Sequence, residues 1–151
     1  MRREALCSIL GEAGLADDAE REAIRVGLDP AGPTLLQLAE LLRRDHEEIL
    51  AALEAAVAPT LAAATLTTLP HTPAALNRIA PHDAWDYLVL PASIDTDGTL
   101  LCVVCRDNLA LALGFLLDHT GQPFRLQSAE ASPLEQYIAE RYAYEGVNDA
   151  A

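Results

Sequence analysis

A chain of 151 residues with 23 acidic side chains, ten basic ones that are all arginine, and no lysine carries a formal charge of −13. That balance excludes non-specific binding to nucleic acid or to an anionic membrane, and the missing lysine excludes a Walker-type phosphate loop. The 51% apolar content suffices for a buried core, yet no apolar run approaches the ~20 residues that a bilayer span needs.

The chain opens with Leu6, Ile9, Leu10 and Ala13 at helical spacing, and Gly14 ends that helix. Two arginines and a short apolar patch, soon interrupted by acids, do not read as a signal peptide. Asp17 is placed to cap a second helix carrying Ala19, Ala23 and Ile24 and stopping at Gly27. After the breaker Asp29 to Pro33, Thr34 with Gln37 suggests a capping box, and Leu35, Leu38, Leu41 and Leu42 mark a third apolar stripe. Asp45 with Glu48 opens a fourth helix with Ile49, Leu50, Leu53 and Val57 inward, ending before Pro59.

From residue 59 to 81 the composition turns to Ala, Thr and Pro. This reads as a connector with one short helix, capped by Thr72, started by Pro73 and burying Leu76 and Ile79. The period then changes. Asp86 to Leu90 reads as a strand, Asp95-Thr-Asp-Gly98 as a hairpin turn and Leu100 to Cys105 as the return strand. Asp107 is placed to cap a helix with Leu109, Leu113 and Leu116 inward, and Gly121 to stop it. Pro123 to Gln127 reads as a further strand, and Ser132-Pro133-Leu134-Glu135 as a helix start followed by Tyr137, Ile138, Arg141 and Tyr142.

The expected fold is α+β: an N-terminal short-helix bundle, then a β-hairpin–helix–strand–helix sandwich on a small, mainly antiparallel sheet. The expected boundaries are a helical subdomain at 1–58, a connector at 59–81, an α+β subdomain at 82–145 and a flexible tail at 146–151.

Cys102 and Cys105 have the C-x-x-C spacing of a redox or zinc pair. In a strand, however, residues three apart point to opposite faces, and Cys7 is the one cysteine left to supply a further ligand. We therefore read the pair as scaffold. Three cysteines in a chain too large to need disulfide staples fit a reducing cytoplasm. The histidines at 46, 71, 82 and 119 match no ligand spacing, and the acidic pairs sit at caps or turns. No nucleophile–base set can be assembled, so the expectation is no enzyme, no metal and no cofactor. Arg2-Arg3 and Arg43-Arg44 could clamp phosphate or carboxylate. Trp85 and Tyr87 are interface candidates if exposed.

The second half, A-L-N-R-I-A-P-H-D-A-W-D-Y-L-V-L-P, a D-x-D-G turn, L-L-C-V-V-C-R-D-N, H-T-G-Q-P-F-R-L and S-P-L-E-Q-Y-I-A-E-R-Y, resembles the N-terminal domain of type II secretion and type IV pilus assembly ATPases. Pro81, Pro91, Asp107, Gly121 and Tyr142 fall on that pattern, and Asn108 replaces the family's proline. The family includes the MshEN version, which binds cyclic di-GMP through two copies of an R-L-G-x-x-L motif. Matching that motif on Gly14 fits Leu6, Leu10 and Leu15, but puts Ala5 at the Arg position and Cys7 at the first Gly position. The second copy, around Leu38 and Leu42, lacks the Arg and both glycines, with His46 at the later Gly position. The resemblance thus implies a cytoplasmic, non-enzymatic interaction and regulatory module whose partner is a secretion or pilus platform protein. Its alternative is a receptor for cyclic di-GMP or another nucleotide, with a degenerate site formed by Arg2, Arg3, Leu6, Leu10, Gly14, Leu15, Arg43 and Arg44.

Overall fold

The computed structural model describes residues 1–70, 72–119 and 123–144. In chain order the elements are α1 (Arg3–Glu12), α2 (Asp18–Gly27), α3 (Thr34–Leu42), α4 (His46–Val57), β1 (Ala62–Ala63), α5 (Pro73–Leu76), α6 (Pro81–Tyr87), β2 (Val89–Ile94), β3 (Leu100–Cys105), α7 (Leu109–His119), β4 (Phe124–Ala129) and α8 (Ala131–Tyr144). They form two compact units, Met1–Thr60 with Leu113–Gln122 and Leu61–Ala112 with Pro123–Ala151. The α+β class read from the sequence holds.

The first unit is helical, and its core is the set of stripes the sequence displays: Leu6, Leu10, Ile24, Leu38, Ile49 and Leu53 are all buried. Asp17 caps α2 in a reciprocal capping box. The Glu20 N–H donates to Asp17 Oδ1 at 2.7 Å, and the Asp17 N–H donates to Glu20 Oε1 at 3.0 Å. The box expected at Thr34 and Gln37 does not form, because Thr34 is already inside α3 and Pro33 holds the cap position. The Asp118 carboxylate instead accepts the Leu35 N–H at 2.7 Å, from 83 residues away. Gln37 turns back to the breaker loop, accepting from the Asp29 N–H at 2.8 Å and donating to the Asp29 carbonyl at 3.0 Å. Leu41, expected inward, is 36% exposed.

The second unit is built on a four-stranded sheet of order β1-β4-β3-β2. The sheet is mostly parallel, which corrects the antiparallel expectation. Only β2 and β3, joined by the tight Asp95–Gly98 turn, run antiparallel; β4 is parallel to both β3 and β1. The reason is the connection. A tight turn reverses the chain, whereas a helical crossover returns it to the same end of the sheet. The hairpin turn itself forms as expected, with Gly98 at φ +87° and its N–H donating to the Asp95 carbonyl at 2.9 Å.

Asp86 and Tyr87, expected to begin a strand, belong to α6. Pro81 sits in the first turn of that helix, and Leu88 closes it in the left-handed region (φ 52°), its N–H donating to the Ala84 carbonyl. The strand therefore begins at Val89 and runs on to Ile94. Asp107 lies in a 3-10 turn, Arg106–Asn108, that leads into α7. α8 begins at Ala131, so Ser132 is inside its first turn rather than at its cap. The segment read as a connector also contributes β1. The expectations at His71, Gly121 and the tail after residue 144 lie outside the described residues.

Tyr142 ties this unit together. It is 1% exposed, and its hydroxyl is directed at the carbonyls of Ile79 (3.0 Å) and Leu76 (3.3 Å). Leu76 is the last residue of α5, so the phenol serves a carbonyl that its own helix leaves without an i+4 partner. Tyr142→Phe should lower the unfolding free energy by about 1–2 kcal/mol, read from the urea midpoint at constant m-value.

Candidate functional site

In the helical unit the structure gives the expected ligand residues other tasks. The Arg3 guanidinium donates to the Arg25 carbonyl at 3.0 Å and also to the Leu28 carbonyl. Both carbonyls lie at the C-terminus of α2, where a cation complements the helix dipole. Arg44 pairs with Glu48 one turn away, at 3.3 Å. Leu6 and Leu10 share the buried face of α1, and Leu15 is half-buried beyond it. Gly14, at φ +75°, follows the end of α1 in the left-handed region that glycine favours. Cys7, at the motif's first glycine position, is buried and its thiol donates to the Arg21 carbonyl at 3.4 Å. Arg2 precedes α1 in extended conformation, and Arg43 closes α3 in the left-handed region with its side chain exposed.

The interface candidates fall on α6. Trp85 is 48% exposed. Tyr87 is half-buried, and its carbonyl accepts from Asn108 Nδ2 at 2.9 Å. α6 packs against β2 and α8, which holds the Trp85 position on a fixed support.

The C-V-V-C pair sits in a strand whose register with β4 runs unbroken from Leu100↔Phe124 to Cys105↔Ala129. Cys102 and Cys105 therefore have opposite parity and face opposite sides of the sheet. All three cysteines are buried free thiols, and no cluster of three metal-ligating side chains occurs among the described residues.

A groove that the sequence reading missed lies in the second unit. It encloses about 490 Å³ and is lined by residues at the carboxyl ends of β1, β3 and β4. Ala63, Ser128 and Ala129 come from the strand ends, Arg106 and Asp107 from the turn after β3, and Glu130 from the junction with α8. Thr67 and Tyr137 add hydroxyls. Arg106 Nη2 donates to the Leu61 carbonyl at 3.3 Å. Ligands of open parallel sheets bind at this end of the strands. A charged residue directly after each of two strands, with a helix next, was the available signal: Arg106-Asp107 and Glu130 fit it. It becomes readable only once β3 and β4 are known to be parallel.

No family model and no curated protein matches the chain. Among solved structures, one described as "Structure of MshE with cdg" aligns over 91% of this chain and 98% of its own, at 16% identity and a TM-score of 0.49. That likeness is too low to equate the two folds.

The buried thiol of Cys102 is pushed up to about 12 from an ordinary value of 9.0, because burial penalises the thiolate. Burial also raises the Tyr142 phenol, with smaller contributions from Cys102 and Asp83. The native state then keeps a proton that the unfolded chain releases, so stability is full below pH ~9 and is lost as pH rises toward ~12. The urea midpoint should fall across that window. Cys102→Ala should lower the unfolding free energy by ~1–2 kcal/mol at neutral pH while flattening the alkaline decline.

Proposed function

We propose that this chain is a non-enzymatic docking and regulatory module of the kind found at the N-terminus of secretion and pilus assembly ATPases, working in the cytoplasm against a platform protein. The observation that carries the reading is Trp85, a large aromatic left 48% exposed on a short helix that packs against β2 and α8. Aromatics on rigid supports are frequent anchors of protein interfaces. The family pattern supports the reading, because its residues hold the second unit's shape. Pro81 starts α6, Pro91 adjoins the bulge in β2, Asp107 sits in the turn before α7, and Tyr142 fastens α5 to α8. The charge of −13 favours a partner with a basic face.

The competing reading is a cyclic di-GMP receptor. It needs guanidiniums directed at two phosphates and a backbone open to close approach. Arg3 and Arg44 are engaged within the helical unit, and Cys7 stands where the motif's first glycine would be.

The test is calorimetric titration with the purified cytoplasmic domain of a secretion or pilus platform protein. Saturable binding that weakens with salt is expected. Trp85→Ala should cost about 2 kcal/mol, or roughly thirtyfold in Kd. Cyclic di-GMP should leave the melting temperature unchanged. A saturable upward shift with the dinucleotide would establish the competing reading.

A further inference from the structure

We infer that the outward face of α6 receives an arginine side chain of a protein partner, its guanidinium stacked on the Trp85 indole and charge-paired with the Asp86 carboxylate. This contact rests on the docking reading and names the chemistry that the Trp85 face recognises.

Successive residues of a helix are turned by about 100°, so residues three and four apart share a face. His82 and Asp86 therefore lie together on the side of α6 opposite Ala84, with Trp85 on one flank and Asp83 on the other. The structure turns that side outward: Ala84 is buried, whereas His82, Trp85 and Asp86 are exposed. Asp83 is partly exposed, and its Oδ1 lies 3.3 Å from His82 Nε2.

Helix stability accounts for one of the two carboxylates and not for the other. Asp83 lies in the first turn of α6, where a negative charge complements the helix dipole. Asp86 lies in the last turn, where the dipole disfavours it, and one turn from the like charge of Asp83. Among the described residues no arginine pairs with either, Arg78 included, although it is the arginine nearest in sequence. Nor does any arginine among them stack on the Trp85 ring.

An exposed indole beside an uncompensated carboxylate selects the partner's side chain. Tryptophan is the best aromatic partner for a cation. A guanidinium is planar and more weakly hydrated than an ammonium, so it can lie flat on the indole while its N–H edge meets the carboxylate. Lysine brings a compact, strongly hydrated charge without that planar fork. An acidic segment would be repelled by Asp83 and Asp86, and a purely apolar one would bury Asp86 without a partner.

Trp85 is the chain's single tryptophan, so its emission reports on this face without a label. The experiment follows that emission while the full chain is titrated with the blocked peptide acetyl-Ala-Arg-Ala-Ala-Arg-Ala-amide and, in parallel, with its lysine counterpart. The arginine peptide should change the emission saturably, and the lysine peptide should bind about fivefold more weakly. Asp86→Asn should weaken the arginine peptide about fivefold. Asp97→Asn removes the same charge from the hairpin turn at the far end of β2 and should leave the affinity unchanged. An emission unmoved by the arginine peptide up to about 5 mM overturns the proposal. So does equal binding of the lysine peptide, or full affinity in Asp86→Asn. An emission that shifts with chain concentration alone assigns the face to a second copy and overturns it as well. A platform protein whose binding is lost in Trp85→Ala but kept in Asp86→Asn upholds the docking reading while overturning the arginine contact.

Discussion

The parallel pairing of β3 with β4, six residues long from Leu100↔Phe124 to Cys105↔Ala129, is the constraint on which the second unit depends. Parallel neighbours cannot be joined by a tight turn, so residues 106–123 must carry the chain back to the starting end of the sheet. That requirement explains why β3 is followed, after the 3-10 turn Arg106–Asn108, by a Leu-rich helix. It also decides where chemistry can collect. With β1 parallel to β4 as well, three strands deliver their last residues to one end, and the segments leaving β3 and β4 bring Arg106, Asp107 and Glu130 there. An antiparallel sheet of the same strands would have sent Arg106 and Glu130 to opposite ends.

The sheet's open edges bear on how a partner can engage it. An exposed strand edge invites another strand. Here β2 contains Pro91, which has no N–H to offer, and a bulge follows between Pro91 and Ser93. The Ala92 carbonyl within that bulge accepts the Thr72 N–H at 3.1 Å, from the start of α5. At the other edge β1 is only two residues long. A short edge and a bulged, covered one are poor templates for strand addition. Backbone pairing is therefore a poor route to association at either edge of this sheet.

What the sequence discloses and what it hides separate by the range of the interaction. The helical stripes, the Asp17 cap, the D-T-D-G turn and the L-L-C-V-V-C strand are all set by residues within a few positions of one another, and all are legible. The α3 start was misread because its N–H partner is Asp118, far along the chain, which leaves Gln37 to the Asp29 loop. The aromatic pair in W-D-Y-L-V-L suggested a strand, but Pro81 had already committed those residues to a helix. β1 is two alanines whose strand character comes wholly from pairing with Gln127 and Ser128. The groove was hidden for the same reason: Ser128 is an ordinary strand serine until the parallel register places it among the residues beyond β3.

The left-handed position of Arg43 gives the arginines of the helical unit a common physical account. A non-glycine residue in that region costs about 1–2 kcal/mol, and glycine is the usual choice for closing a helix. Arginine offsets part of that cost by setting a cation at the C-terminus of α3, worth about 0.3–1 kcal/mol. Arg3 does the corresponding service at the C-terminus of α2, and Arg44 pairs along the first turn of α4. Three of the four arginines that a phosphate clamp would recruit are thus explained by helix ends and helix neighbours.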